Sequence, residues 1–177
     1  MLLLGHTGIT LALAKGIITS SKGKRFSELV DYRLVLIGSM LPDIIDKPLG
    51  GLICKETLGN GRIYAHTLLF LLLLFGLGVF LWLKLQRAGV LTLVGGSFVH
   101  HILDGMWCFP GTYLWPFYGW SFPKGDPEGW FRQWLENLLT DPRVYVPEIL
   151  GGVILLRFVI AGLARRKERF PERIRKT

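Results

Sequence analysis

Charge is scarce in this 177-residue chain: 19% of its residues are Asp, Glu, Lys or Arg, against the roughly 25% that covers a soluble domain. Half of the residues are hydrophobic and the mean hydropathy is +0.40. No residue from Thr67 to Leu83 ionises, and Lys, Arg and Glu are absent from Ala88 to Met106. Each stretch approaches the roughly 20 residues that cross a bilayer. This shortage excludes an ordinary soluble surface and predicts one membrane-embedded domain, an all-α integral membrane bundle in contact with membrane lipids.

Other absences narrow the chemistry. Only two cysteines occur, Cys54 and Cys108, in no C-x-x-C spacing, which argues against a structural zinc ribbon. In an oxidising compartment they are as consistent with a disulfide as with two free thiols. No H-E-x-x-H motif of a zinc protease is present, and no Gly-x-Ser-x-Gly elbow. The lipid phosphatases with a histidine nucleophile need an Arg six residues before their H-x-x-x-D histidine, where this chain has Val94. The apolar start, Met1 to Ala14, lacks a basic n-region and a small-residue cleavage site and reads as a retained helix.

Acidic residues are the rarer sign, 13 against 21 basic, for a formal charge of +8. In a soluble chain that excess would suggest nucleic acid; here it reads as topology, with no nucleic-acid partner expected. The apolar pattern predicts helices over about Leu2–Thr19, Tyr32–Leu41, Ala65–Leu85, Ala88–Met106 and Tyr145–Ala164. If the chain crosses at every segment, Lys15, Lys22, Lys24, Arg25, Arg33, Lys84, Arg87 and the seven basic residues of the tail share one side. The positive-inside rule makes that side cytoplasmic, giving a multi-pass membrane protein, N-out and C-in. Glu148 and Arg157 fall inside the last segment and must face protein or water.

Aromatic residues concentrate between Trp107 and Trp134, which holds eleven of the chain's 22. That composition suits either a headgroup-level belt or a packing loop. Asp126-Pro-Glu reads as a helix start, after which Trp130, Phe131, Trp134, Leu135 and Leu138 share one face, as in an interfacial helix.

The remaining ionisable residues are placed unusually. His6 opens the first predicted helix, Asp43 and Asp46 close the second, His66 opens the third, and His100 and Asp104 close the fourth. In the alternating topology all of them meet at the outer face. His100 and Asp104, at i and i+4, share a helical face; Asp43 and Asp46 do so if their helix continues past Pro42. Imidazole and carboxylate groups suit Zn²⁺, and less specifically Mn²⁺ or Fe²⁺. Three His and three Asp are ligands enough for two metals, a pairing that serves displacement at phosphorus. His101 points about 100° away from His100 on an ideal helix and could act only as support. Lys47, Arg62 and Lys124 are candidate phosphate holders, or simply solvated cations at the membrane edge. Gly95-Gly96-Ser97 and Gly76-x-Gly78 read as close helix packing.

Gly5-His6-Thr7, Leu41-Pro42-Asp43-Ile44-Ile45-Asp46, Arg62-x-x-x-His66-Thr67, His100-x-x-x-Asp104 and Leu114-Trp115-Pro116 follow one another as in the YdjM-like inner-membrane metal-dependent hydrolases. The resemblance spans His6 to Pro116. It implies metal ligation by His6, Asp43, His66, His100 and Asp104, in a family distantly similar to zinc-dependent phospholipases C. Two departures stand out: the family's Pro-Asp-x-Asp is lengthened by one residue before Asp46, and its His-Arg-Gly-x-Thr-His box keeps only Arg62 and His66.

The sequence therefore leads to the expectation of a metal-dependent hydrolase acting on a phosphoester in a lipid or lipid-linked substrate. Asp46 or Asp104 would be the general base and Arg62 would stabilise developing charge. Asp43, Asp46 and Asp104 with His6, His66 and His100 would hold a divalent metal, zinc first. Two non-enzyme readings compete: a transport or ion relay, which predicts ionisable groups spread through the membrane's depth, and a metal-binding membrane protein without turnover.

Overall fold

The computed structural model describes residues 2–20, 29–124 and 130–174, with side chains described up to residue 164 and those of 130, 131, 133 and 134 left aside. The described residues are helical and contain no strand. Five long helices, α1 (Leu3–Ser20), α2 (Tyr32–Pro48), α3 (Leu68–Leu85), α4 (Gly89–Leu103) and α7 (Pro142–Ile174), are joined by the short α5 (Pro110–Tyr113) and the eleven-residue α6 (Trp130–Thr140). The expected start at Asp126 and the Trp130, Phe131 and Trp134 side chains lie outside the described residues. Of the apolar face assigned to α6, Leu135 is exposed, as is its neighbour Leu139.

The second helix runs further than the sequence suggests. Asp31 caps it by accepting the backbone N–H of Arg33 at 2.8 Å, and it passes through Pro42 to Pro48 before ending in a wide turn at Leu49–Ile53. A proline inside a helix cannot donate to the carbonyl four residues back, here that of Gly38. The hydroxyl of Ser97 on α4 donates to that carbonyl instead, at 3.0 Å. The expected end at Leu41 is thus corrected: Pro42 opens a single backbone acceptor, and the neighbouring helix fills it.

Such a bond needs close backbones. A Cβ added to Gly96 would lie 2.7 Å from the Ser39 nitrogen, and one on Gly38 would lie 2.5 Å from the Leu93 carbonyl oxygen. Small residues on both helices therefore set the α2–α4 spacing, the role expected of Gly96 and Ser97.

The first and last long helices meet in the same way, Gly8 against the Gly151 backbone. There the carboxylate of Glu148, on α7, accepts the backbone N–H groups of Leu2 at 2.7 Å, Leu4 at 2.9 Å and Gly5 at 3.0 Å. A helix start carries unpaired N–H groups and partial positive charge; Glu148 meets both. Its place in an apolar segment is explained by this contact, whereas Arg157 on the same helix is exposed.

Two helical stretches, Leu68–Leu85 and Pro142–Ala164, are long and apolar enough to cross a membrane. Their outward faces are large hydrophobics, among them Leu73, Phe80, Leu83, Ile149, Leu156 and Leu163. α4 is apolar but shorter, at 15 residues.

Candidate metal centre

Four chain segments end at one end of the bundle, and each brings ionisable groups. α1 supplies His6, the last turns of α2 supply Asp43 and Asp46, a tight turn at Tyr64–His66 just before α3 supplies His66, and the end of α4 supplies His100 and Asp104. His6, Asp46, His66 and His100 are fully buried. The six side chains singled out from the sequence are brought together here.

At the middle, His66 Nε2 and His100 Nε2 face each other at 3.3 Å. Their tautomers follow from their outer nitrogens. His100 Nδ1 lies 2.6 Å from the Ser39 carbonyl oxygen, which can only accept, so that nitrogen carries the proton. His66 Nδ1 lies 2.7 Å from the Asp46 carboxylate and carries its proton for the same reason. In the neutral rings both Nε2 atoms are then lone pairs, pointed at one another across a gap that neither can bridge.

Two carboxylates complete the set. Asp43 Oδ1 lies 3.6 Å from His66 Nε2 and 3.9 Å from His100 Nε2. Asp104 Oδ2 lies 4.0 Å from each. Four donors about 2.0–2.1 Å from a tetrahedral ion would be about 3.3–3.4 Å apart, so these atoms form a slightly open version of such a cage. His66, His100 and Asp104 form one group that could hold a metal, and His6, Asp43 and His100 a second. The two groups share His100, whose Nδ1 is taken by the Ser39 carbonyl, so its Nε2 is the atom common to both.

His6 stacks on the His100 ring, with centroids 4.0 Å apart. Its Nε2 meets Asp104 Oδ1 at 3.1 Å, while its Nδ1 is buried without a hydrogen-bond partner. Buried polar atoms are nearly always paired, and an unpaired nitrogen beside a lone-pair cluster fits a site for a cation.

Asp46 has a different place from the other carboxylates. Its oxygens accept the backbone N–H groups of Ile63 at 2.8 Å, Ala65 at 2.9 Å and His66 at 3.1 Å, besides the His66 imidazole. With four donors already bound, it holds the His66 turn from behind and turns away from the centre. α2 is continuous from Asp43 to Asp46, so the i, i+3 spacing does put both on one helical face, and the backbone N–H groups of the turn claim the Asp46 oxygens. His101 supports the same turn by donating Nε2–H to the Ala65 carbonyl at 3.1 Å. Against it lies Tyr113, ring centroids 5.7 Å apart, whose phenol is pushed above its ordinary pKa by burial. Aromatic side chains cover the turn: Tyr64 meets Phe122 edge-on at 5.0 Å and Trp115 at 5.5 Å. Part of the aromatic segment is thus a packing lid over His66, while Phe117 and Trp120 are exposed.

The centre's mouth is basic. Arg62 donates Nε–H to Asp104 Oδ2 at 3.0 Å, and its Nη2 lies 2.9 Å from the same oxygen. Lys47 reaches Asp43 Oδ2 at 2.6 Å. The Arg62 and Lys47 side chains are 38% and 45% exposed, against 4% and 7% for the aspartates they bind, so this is the side on which the centre meets its surroundings. Lys124 stands farther out, across a cavity that Arg62 also lines. Cys54 and Cys108 are separate thiols.

Ser39, Ser97 and Glu148 escaped the sequence reading as parts of the site. Pro42 was the available signal for Ser97, because a proline within a helix always leaves an acceptor for a neighbour to claim.

Comparison with known proteins gives one family. A family model described as YdjM inner membrane protein matches residues 1–168. No curated protein and no solved structure matches the chain.

Proposed function

This chain belongs to the YdjM inner membrane protein family, and on that premise we propose that it is a multi-pass membrane protein carrying a metal-dependent hydrolase centre for phosphoesters of lipid or lipid-linked substrates. The observation that carries the reading is the pair of facing Nε2 lone pairs, 3.3 Å apart, with two carboxylate oxygens beside them. Two neutral imidazoles held in that attitude repel unless a cation lies between them. Clustering of the ionisable groups at one end of the helices supports a single centre over a relay, which needs groups at successive depths. The two apolar helices and the family support the membrane placement; the positive-inside count supports N-out and C-in, with the centre at the outer face.

His66, His100 and Asp104 are the residues that would hold the metal, zinc first by its preference for two His and a carboxylate with one position open, and manganese or iron after it. Bound there, a divalent ion would supply Lewis acidity toward a phosphoryl oxygen and a water of lowered pKa. Around it the chain's own groups divide the work. Asp43 Oδ1, which accepts no N–H bond among the described residues, would be the group free to accept a proton as general base. Arg62 fixes Asp104 and, being part-exposed, meets the charge that grows on the phosphoryl group. Asp46 orients His66, and His6 closes the centre from the side of α1. In this reading Asp43 is the general base in preference to Asp46, whose oxygens bind four N–H donors, and to Asp104, which would be a ligand.

Elemental mass spectrometry of detergent-purified protein tests this. About one equivalent of zinc, manganese or iron is expected, lost in His66→Ala and His100→Ala while both variants keep their helical circular dichroism. Hydrolysis of phospholipid and polyprenyl-phosphate substrates by the loaded protein, absent in Asp43→Asn, completes the test. A folded wild type that takes up no metal on reconstitution would sink the proposal.

A further inference from the structure

Beside the metal centre lies a cavity of about 400 Å³ lined by Asn60, Arg62, Phe109 to Thr112, Pro123 and Lys124. Its construction is specific. Asn60 donates its side-chain N–H to the Pro123 carbonyl at 2.7 Å and accepts the Arg62 backbone N–H at 2.9 Å. That one amide joins the segment carrying Arg62 to the segment carrying Lys124, 62 residues later in the chain. The Arg62 guanidinium lies over the Phe109 ring, 5.4 Å from its centroid, while its Nε and Nη2 hold Asp104. Arg62 therefore forms a wall common to the cavity and to the metal centre. No carboxylate among the described residues pairs with Lys124, so the lining offers two cations and no described anion.

We propose that this cavity is a second anion subsite, which holds a phosphate group of the substrate adjacent to the one under attack. The inference rests on the hydrolase reading and narrows its substrate class to compounds with two neighbouring phosphate groups, a diphosphate above all. A single phosphate at the metal centre would need Arg62 alone. Lys124, across an apolar cleft floored by Phe109, Pro110 and Pro123, has no use in that chemistry and gains one when a second dianion bridges it to Arg62. Arg suits the shared position, since its planar fork can serve a carboxylate on one edge and a phosphate on another.

Methylenediphosphonate, which mimics a diphosphate and resists hydrolysis, is the probe, titrated calorimetrically into the detergent-purified full chain and compared with orthophosphate. Lys124→Ala is expected to weaken the diphosphonate about tenfold while changing orthophosphate less than about twofold. Lys55→Ala, an exposed lysine outside the cavity, serves as control and should leave both unchanged. Equal affinities for the diphosphonate in wild type and Lys124→Ala, equal loss in Lys55→Ala, or no binding at all would overturn the subsite. The titration is repeated after chelation: dependence on Lys124 persists there if the subsite exists, whereas failure of metal to bind or to raise affinity counts against the hydrolase reading alone. Mixed micelles carrying a polyprenyl diphosphate, set against soluble inorganic diphosphate as competitors, tell a lipid-borne group from a free one by which displaces the probe at lower concentration.

Discussion

Asp46 grips His66 twice, accepting its ring Nδ1–H at 2.7 Å and its backbone N–H at 3.1 Å through the same oxygen, Oδ2. The ring cannot rotate without breaking a bond that also holds the turn beneath it. Outer carboxylates of this kind fix the tautomer of a ligating histidine, and their loss typically costs 10–100-fold in metal affinity. Asp46→Asn keeps an acceptor for the backbone but offers a weaker one to the ring. Zinc affinity, measured by competition with a chromophoric chelator, is expected to fall by about 10–100-fold in a protein that still folds. An unchanged affinity would place Asp46 outside the centre.

Pro42 separates stability from function. Alanine there restores a backbone N–H that competes with Ser97 for the Gly38 carbonyl and removes the roughly 3 kcal/mol cost of proline inside a helix. A Gly38 carbonyl drawn to that N–H should shift the adjoining Ser39 carbonyl away from His100 Nδ1. Pro42→Ala is therefore expected to bind zinc several-fold more weakly with no lowering of its thermal midpoint. A parallel loss of both would mean that Pro42 serves packing alone.

Glu148 acts at a distance from the centre. Its three bonds to the start of α1 involve Leu2, Leu4 and Gly5, immediately before His6. Glu148→Gln retains one good acceptor and loses the charge that faces the helix dipole, a change of about 1–2 kcal/mol. A lower melting temperature is expected in the metal-free protein, together with weaker zinc binding; leucine at Gly151, which would drive α7 off the α1 backbone, should do more damage to both. Full metal affinity in the Gln variant would show that His6 is held by its stacking on His100 instead.

Acid should empty the site. The imidazoles ligate only when unprotonated and the carboxylates only when ionised, so each ligand that binds metal releases or excludes a proton. Retained zinc is expected to fall once the pH is low enough for protons to compete with the metal for these ligands, and to return on neutralisation. Zinc kept unchanged even in strong acid by a folded protein would argue against histidine and carboxylate ligation.

Much of this centre was legible in the chain. His6, Asp43, His66, His100 and Asp104 stood out because ionisable groups beside long apolar stretches are costly and each lay at the end of its stretch. The partition of their roles was not legible. Asp46 reads as one more ligand until the path of Ile63 to His66 is known, because its partners are backbone groups, which look alike in every sequence. Pro42 reads as a helix end; only the position of Ser97 on a neighbouring helix shows how the helix continues. Glu148 announced that it needed a partner, and 140-odd residues of separation hid which one.

That separation has its own consequence. Gly5, next to His6, waits for a carboxylate 143 positions farther along the chain. In the order in which a ribosome delivers the polypeptide, α1 emerges well before the carboxylate that fastens it, and the centre is finished only when α7 has joined the other helices.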